Sequence, residues 1–166
     1  MALTKYFSIL RLFVMVLSCN KNEEEFVCDT DDDSPAINCN GVNADTSVNG
    51  FKVNYYPGGT IKKSEGNYNS GIQNGFWKFY SQSGSLSMEG NYTSGKVYGF
   101  WKLFFANGSL NEEGNYKNCI RHGFWKFYYN NSSNSVRKEG HYTNGSKSGN
   151  WVYYNSDGSI LKQGSC

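Results

Sequence analysis

The sequence predicts an all-β protein built as an elongated antiparallel sheet of consecutive β-hairpin repeats. The first observation is a recurring segment that opens at glycines spaced 25, 24, 24 and 26 residues apart, namely Gly50, Gly75, Gly99, Gly123 and Gly149. A fixed period of this size is typical of arrays whose units bury their apolar faces on their neighbours. The second is that each unit contains two short runs of alternating character, separated by a polar loop, as a hairpin requires. Residues 50–166 are therefore expected to hold about five copies.

The second copy shows how one hairpin is expected to pair. If residues 81–84 form a four-residue loop, Trp77 is expected to lie opposite Met88. This register places four apolar side chains on one face, Trp77, Phe79, Leu86 and Met88. One repeat later it groups Trp101, Leu103 and Leu110, with only Glu112 out of character. The tryptophan face is therefore the predicted core.

Tryptophans and glycines that recur at the repeat period are predicted to be structural. The tryptophans are Trp77, Trp101, Trp125 and Trp151. Their burial is expected to dominate the core, at roughly 1.5–3 kcal/mol for each large side chain. Glycines recur beside them, among them Gly90, Gly114 and Gly140. Glycine inside a strand often marks a close approach, and here we expect it to leave room for an indole ring.

Residues 1–18 are predicted to be a lipoprotein signal peptide. Lys5 supplies a positive start, and the mainly apolar run that follows, interrupted by Arg11, is too short for a spanning helix. The run ends in Val16-Leu-Ser-Cys19, which resembles a bacterial lipobox. The resemblance implies cleavage before Cys19 and lipidation of its thiol. The alternative is a plain signal peptide that happens to contain a cysteine.

Residues 19–49 are predicted to be the lipidated cysteine followed by an acidic, disordered tether. Residues 20–49 carry eight acidic residues against one lysine, which is typical of solvated chain. The acidic residues just after Cys19 resemble, over a short stretch, the surface-export signal of Bacteroidota lipoproteins. A calcium loop at Asp29, Asp31 and Asp33 is the alternative, but Ser34 stands where that loop needs glycine. The array at 50–166 is basic, with 13 Lys/Arg against 6 Asp/Glu.

Four cysteines remain once Cys19 is assigned to the lipid, and they allow three pairings. Disulfides suit an exported protein, and a bond between Cys28 and Cys39 would close a short loop in the tether. A bond between Cys119 and Cys166 is not expected, because a simple meander separates them by about four strand spacings of ~4.8 Å. The sequence leaves the pairing open.

No catalytic or metal-binding constellation is recognisable in the sequence. The two histidines, His122 and His141, occupy repeat positions held elsewhere by ordinary residues. Glutamates recur in four of the five repeats, whereas an active site normally occurs once: Glu65, Glu89, Glu113 and Glu139. We expect these to form a self-neutralising ladder in which Lys78 lies diagonal to Glu89. The sequence therefore predicts a protein that is not an enzyme and has neither cofactor nor metal.

The face opposite the tryptophans carries the predicted binding residues, which are Phe76, Lys78, Tyr80, Phe100, Lys102, Phe104, Phe124, Lys126 and Tyr128. A single-layer sheet cannot bury both faces within itself unless it twists, closes or meets a partner. Rows of aromatic residues with lysines can stack sugars, clasp an acidic protein segment or contact lipid headgroups. Sheet-to-sheet packing is the structural alternative. Single-stranded nucleic acid is also bound by such residues, but an exported lipoprotein rarely meets it, so no nucleic-acid partner is expected.

The pattern Gly-Phe-Trp-Lys-Phe-Tyr followed by Glu-Gly-Asn-Tyr resembles the MORN repeat variant family, which is common in bacterial proteins. The resemblance covers residues 50–166 and rests on several positions that recur together four to five times. It implies an elongated sheet of consecutive hairpins that serves as an interaction or scaffold surface. The sequence departs from the pattern at Lys52, Cys119 and Ser132 and in its truncated fifth copy. Related bacterial sequences are often labelled antitoxins, a role that a lipid anchor does not suit.

These observations predict an outer-membrane lipoprotein anchored through Cys19, facing the cell surface or, alternatively, the periplasm. Its array is expected to be a non-catalytic protein-interaction scaffold whose partner the sequence does not specify. One alternative is a glycan- or envelope-binding protein that uses the aromatic and lysine face. Another is an antitoxin-like partner protein, which requires residues 1–19 not to be a signal.

Overall fold

The computed structural model describes residues 37, 39, 41–43 and 45–166. They form one antiparallel sheet in which ten strands follow one another in chain order. The strands are β1 (Gly50–Tyr55), β2 (Lys62–Asn69), β3 (Ile72–Tyr80), β4 (Leu86–Thr93), β5 (Lys96–Phe104), β6 (Leu110–Lys117), β7 (Ile120–Tyr128), β8 (Val136–Thr143), β9 (Ser146–Tyr154) and β10 (Ile160–Ser165). The predicted all-β architecture of consecutive hairpins is confirmed. This part of the chain supplies no helix long and apolar enough to cross a membrane.

Two-residue turns join successive repeats and define one edge of the sheet, termed the turn edge. They lie at residues 70–71, 94–95, 118–119 and 144–145, and both residues of each turn have positive φ. This is the geometry of a type I′ hairpin turn, which favours Asn followed by Gly. Each later turn bonds back to the preceding repeat; the Gly95 N–H, for example, donates to the Gln73 carbonyl at 3.0 Å. Successive turns are therefore linked to one another by hydrogen bonds along the turn edge.

The register within each hairpin differs from the prediction by two residues. Trp77 lies opposite Gly90 and Phe79 lies opposite Met88, because a bulge follows Phe79 where the strand approaches its loop. The expected pairing of Trp77 with Met88 was therefore wrong. A two-residue shift leaves strand side chains on their predicted faces, so Trp77, Phe79 and Met88 still share one face.

The bulge does move the first strand residue after the loop to the opposite face of the sheet. Leu86 pairs with Tyr80, and Leu110 pairs with Phe104. The prediction that these two leucines join the tryptophan face was therefore wrong. Both are only half-buried.

The tryptophan face is the core of the sheet. All four tryptophans are fully buried, as are Val97 and Leu103. Tyrosines pack edge-on between the indoles; the ring of Tyr92, for example, lies 5.4 Å from that of Trp101 at an interplanar angle of 80°. Successive repeats thus share one continuous aromatic stack.

Each indole in this stack lies against a glycine of the neighbouring strand. A Cβ built on any of these glycines would lie 2.2–2.4 Å from the ring. The pairs are Gly66–Trp77, Gly90–Trp101, Gly114–Trp125 and Gly140–Trp151. The indole also donates a hydrogen bond to the carbonyl that follows the glycine, as from Trp101 to Asn91 at 3.1 Å. Glycine is required at these positions because any side chain would clash with the indole ring.

Charged side chains enter the core in its C-terminal half. Glu112 and Arg121 are buried and form an ion pair of 2.7 Å between Oε2 and Nη2. The Arg121 guanidinium lies 4.5 Å from the centre of the Trp125 ring, and the buried Lys138 ammonium lies 4.9 Å from that of Phe127. Desolvated cation–π contacts contribute about 2 kcal/mol, so the aromatic rings partly offset the burial of charge.

Part of the chain before β1 packs on the array. The described residues 37, 39, 41–43 and 45–49, termed the strap, lie along the turn edge. Ile37 and Cys39 contact the core cluster, and Val42 forms an isolated antiparallel bridge with Ile72. The predicted tether was expected to be disordered as far as residue 49, but these apolar residues give its end a packed position. The predicted signal peptide, Cys19 and the calcium alternative at Asp29–Asp33 lie outside the described residues.

Candidate binding face

The face opposite the tryptophans, termed the outer face, carries three rows of side chains that run across the strands. One row consists mainly of phenylalanine and asparagine, the middle row of glutamate and lysine, and the third of large apolar side chains near the loops. Neighbouring strands lie ~4.8 Å apart. A residue that recurs once per hairpin is therefore repeated roughly every 10 Å along the array.

The middle row is an unbroken ladder of alternating charge from β2 to β8. Its members, each paired with the next across the sheet, are Glu65, Lys78, Glu89, Lys102, Glu113, Lys126 and Glu139. The expected diagonal contact of Lys78 with Glu89 was wrong, since the two-residue change of register puts them directly opposite. Lys126 and Glu139 approach to 3.8 Å, with 41% of the lysine side chain exposed. Such a pair contributes a few tenths of a kcal/mol.

Hydroxyl groups from the third row bond glutamates of the preceding repeat. The pairs are Tyr80 with Glu65, Tyr128 with Glu113 at 2.6 Å, and Tyr154 with Glu139 at 2.7 Å. Burial, together with the bond to Glu65, raises the pKa of Tyr80 to about 12. Hydrogen bonds from Lys62 and then Tyr80 hold the pKa of Glu65 below its usual range. The third row therefore fixes the position of the charged ladder.

The third repeat lacks this hydroxyl. Phe104 occupies the position of the bonding tyrosines, so Glu89 receives no such bond. Glu89 is instead flanked by Lys78 and Lys102 in the ladder. The middle of the array is thus the least constrained part of the charged row.

The phenylalanine row is the accessible part of the outer face. Phe76, Phe100 and Phe124 are 48%, 47% and 42% exposed, and Phe51 continues the row on β1. The cross-strand partners of the first three are polar, namely Asn91, Asn115 and His141. The His141 ring meets Phe124 edge-on at 5.1 Å. The surface thus alternates aromatic rings with hydrogen-bonding groups.

All nine predicted binding residues lie on the outer face, but they are unequally accessible. The three phenylalanines are exposed, while Lys78, Lys102, Lys126, Tyr80 and Phe104 are half-buried. Tyr128 is only 8% exposed, and its hydroxyl is bonded to Glu113. The surface that a ligand can reach is therefore the phenylalanine row together with the heads of the lysines.

Sequence reasoning missed the partners that the second strand of each hairpin contributes. Asn91, Asn115 and His141 complete the phenylalanine row, and the glutamates complete the ladder. The signal was present, because Glu-Gly-Asn-Tyr recurs at the same period. Only the correct register shows that Asn91 lies opposite Phe76 and not further along the strand.

Neither histidine lies in a metal-ligand cluster. In the described part of the chain, no three His, Cys, Asp or Glu side chains lie close enough together to hold a metal ion. A shallow pocket of about 150 Å³ lies at the turn edge and is lined by Lys117, Arg121 and His122, among others. His122 and His141 are both exposed.

Comparison with known proteins gives no family assignment. No protein-family model matches the sequence, and no curated protein matches it significantly. The resemblance to the MORN repeat variant family remains a prediction that rests on the repeated residues.

Proposed function

We propose that the protein is an exported lipoprotein whose array binds a partner protein through the outer face, without catalysing a reaction. The observation that carries this proposal is the regular row of half-exposed rings at Phe51, Phe76, Phe100 and Phe124. Covering such a ring stabilises a complex by roughly 1–2 kcal/mol. Four rings in one line therefore supply enough apolar area for specific binding, although no single ring does.

The spacing of the row favours an extended partner segment. A polyproline II helix has three residues per turn and rises ~3.1 Å per residue, so every third side chain recurs on one side at ~9 Å. This matches the roughly 10 Å between rings that two strand spacings give. Segments of this kind commonly dock on aromatic surfaces. The preferred partner is thus a proline-rich segment with an apolar side chain at every third position.

The alternating ladder beside the row supports a protein ligand over a nucleic acid. Each of Lys78, Lys102 and Lys126 lies between two glutamates. A phosphate backbone is bound by grooves of continuous positive charge, and this row alternates in sign. Charged side chains of a peptide can pair with both signs and thereby select one binding register.

The anchoring part of the proposal rests on the sequence around Cys19. The proposed location is the outer membrane, facing the cell surface, with the periplasmic side as the alternative. Labelling cells with a fatty acid tests it. Wild-type protein is expected to take up label and Cys19→Ala is not; label retained in Cys19→Ala would contradict the anchor.

Glycan binding is a second candidate, favoured by the amides beside the rings. Asn91 and Asn115 lie directly opposite Phe76 and Phe100. A flat aromatic ring next to a side-chain amide suits a sugar, which stacks on the ring and bonds the amide. Retention on immobilised envelope polysaccharide, lost in Asn91→Ala and in Phe100→Ala, would favour this candidate.

The binding proposal is tested by comparing variants of adjacent residues. Phe100→Ala and Lys102→Ala are expected to leave folding intact and to weaken recovery of the partner in a crosslinked pull-down from intact cells. Trp101→Ala is expected to unfold the array. A folded Trp101→Ala variant, or Phe100→Ala and Lys102→Ala variants that recover the partner as wild type does, would contradict the assignment of faces.

A further inference from the structure

The strap runs across successive turns of the turn edge, and neighbouring turns are contacted by strap residues that are two positions apart. The Asn43 N–H donates to the Gly71 carbonyl at 2.6 Å, and the Gly41 N–H donates to the Gly95 carbonyl at 2.9 Å. The Gln73 N–H returns a bond to the Gly41 carbonyl at 2.7 Å. Two consecutive turns thus fix the register of the strap, and the same step brings Cys39 to the next turn, at residues 118–119.

Cys39 meets Cys119 at that third turn. The Cys39 Sγ lies 3.8 Å from the Cys119 carbonyl oxygen, and the Cys119 Sγ lies 3.6 Å from the Cys39 carbonyl oxygen. Both residues are half-buried against the core cluster, and both are free thiols in this structure. Burial, together with a hydrogen bond that its thiol donates to Cys119, raises the pKa of Cys39 to about 12. Of the pairings that the sequence left open, the bond to Cys28 is not present at Cys39, whose free thiol lies against Cys119.

Cys119 occupies a position that the turn itself does not favour for cysteine. Its φ is 70°, in the left-handed region, where the other three turns have Gly71, Gly95 and Gly145. A residue with a Cβ is strained in this region, and glycine is not. The repeat thus departs from its own pattern at the one turn where the strap presents a second thiol.

We propose that Cys39 and Cys119 form a disulfide bond that fastens the strap to the third turn. The oxidant is a small disulfide such as oxidised glutathione. One cysteine thiolate attacks the oxidant and releases one glutathione thiolate, forming a mixed disulfide. The second cysteine thiolate then attacks the protein sulfur of that mixed disulfide and releases the other glutathione. The protein loses two protons and two electrons, and the oxidant becomes two thiols.

The proposed disulfide bond between Cys39 and Cys119, termed the clasp, links residues that are 80 positions apart in the chain. A crosslink over so long a loop restricts the unfolded chain strongly. It also fixes where the N-terminal chain leaves the array, at the third repeat. Together with the proposed anchor at Cys19, it would attach the array to the membrane through its third repeat and not through its first strand.

Peptide mapping of the full chain tests the bond directly. The Cys28→Ser/Cys166→Ser variant is used, so that Cys39 is the only cysteine in the tryptic peptide 22–52 and Cys166 cannot compete for it, while Cys119 lies in peptide 118–121. After incubation with oxidised glutathione, we expect these two peptides to be linked, and to separate after reduction. Their absence from the linked fraction would overturn the proposal.

The Cys119→Gly variant gives a matched test of stability. Glycine is the residue of the other three turns, so this variant is expected to fold and, under reducing conditions, to be at least as stable as wild type. Under oxidising conditions wild type is expected to melt roughly 10 °C higher than when reduced. Cys166 is disulfide-bonded, so the redox-dependent shift of Cys119→Gly reports that other bond, and the difference between the two shifts reports the clasp. Equal shifts would overturn the proposal.

Discussion

Trp101 lies so close to Gly90 that a Cβ on the glycine would be 2.2 Å from Cδ2 of the indole. The same relationship recurs in the four repeats that contain tryptophan. It lets an indole lie flat on the backbone of the neighbouring strand, where it bonds the carbonyl of the next residue. The aromatic core of this single sheet therefore requires glycine at these positions, because any side chain would occupy the space of the indole.

Gly90→Ala is predicted to destabilise the array by about 3 kcal/mol or more, because the methyl group must displace a fully buried ring. Gly99→Ala is the matched control. Gly99 has a φ of 73° but nothing within 4 Å of its would-be Cβ, so only backbone strain of about 1–2 kcal/mol is expected. Urea unfolding of both variants measures the difference. Equal losses would show that the indole contact is not the cause.

Phe104→Tyr is predicted to stabilise the array by about 1 kcal/mol. The new hydroxyl would reach Glu89, as Tyr128 reaches Glu113 in the next repeat. Tyr128→Phe is the reciprocal control and is expected to lose a similar amount. Thermal or urea unfolding at pH 7 measures both. A neutral or destabilising Phe104→Tyr would contradict the role given to the third row.

Acid is predicted to weaken the Glu65 contacts. Hydrogen bonds from Lys62 and then Tyr80 hold the pKa of Glu65 below its usual range. The unfolded chain therefore binds the proton more readily, so these contacts contribute stability above about pH 4.3, and this is lost as the pH falls through the folded-state pKa. In urea unfolding from pH 7 to pH 3, Tyr80→Phe should lose less stability than wild type. Identical pH profiles would contradict the assignment.

Glu112 and Arg121 are predicted to be strongly coupled. Replacing either one alone leaves a buried charge and is expected to cost about 3–5 kcal/mol. The preceding repeat has Met88 and Val97 at the same positions. The double variant Glu112→Met/Arg121→Val is therefore expected to lose clearly less than the sum of Glu112→Met and Arg121→Val. A double-mutant cycle in urea measures this coupling, and additive losses would contradict it.

The fold followed from the sequence because period and alternation are local signals. The tryptophan of each copy is followed two residues later by a large apolar side chain, as Trp77 is by Phe79. Their shared face could therefore be predicted without the register. The pairing of Trp77 with Gly90 could not, since the bulge after Phe79 leaves no mark in the pattern. The contact of Cys39 with Cys119 also escaped prediction, because it depends on how the strap crosses the turn edge.

The most direct test of the proposed function is photocrosslinking from the phenylalanine row in intact cells. A photoreactive phenylalanine analogue replaces Phe100, and the control carries it at Asp157, an exposed position in the loop before β10. The account predicts one protein adduct from position 100, none from position 157, and loss of the adduct when Phe76 and Phe124 are changed to alanine. Adducts that are the same from both positions, or no protein adduct from position 100, would contradict it.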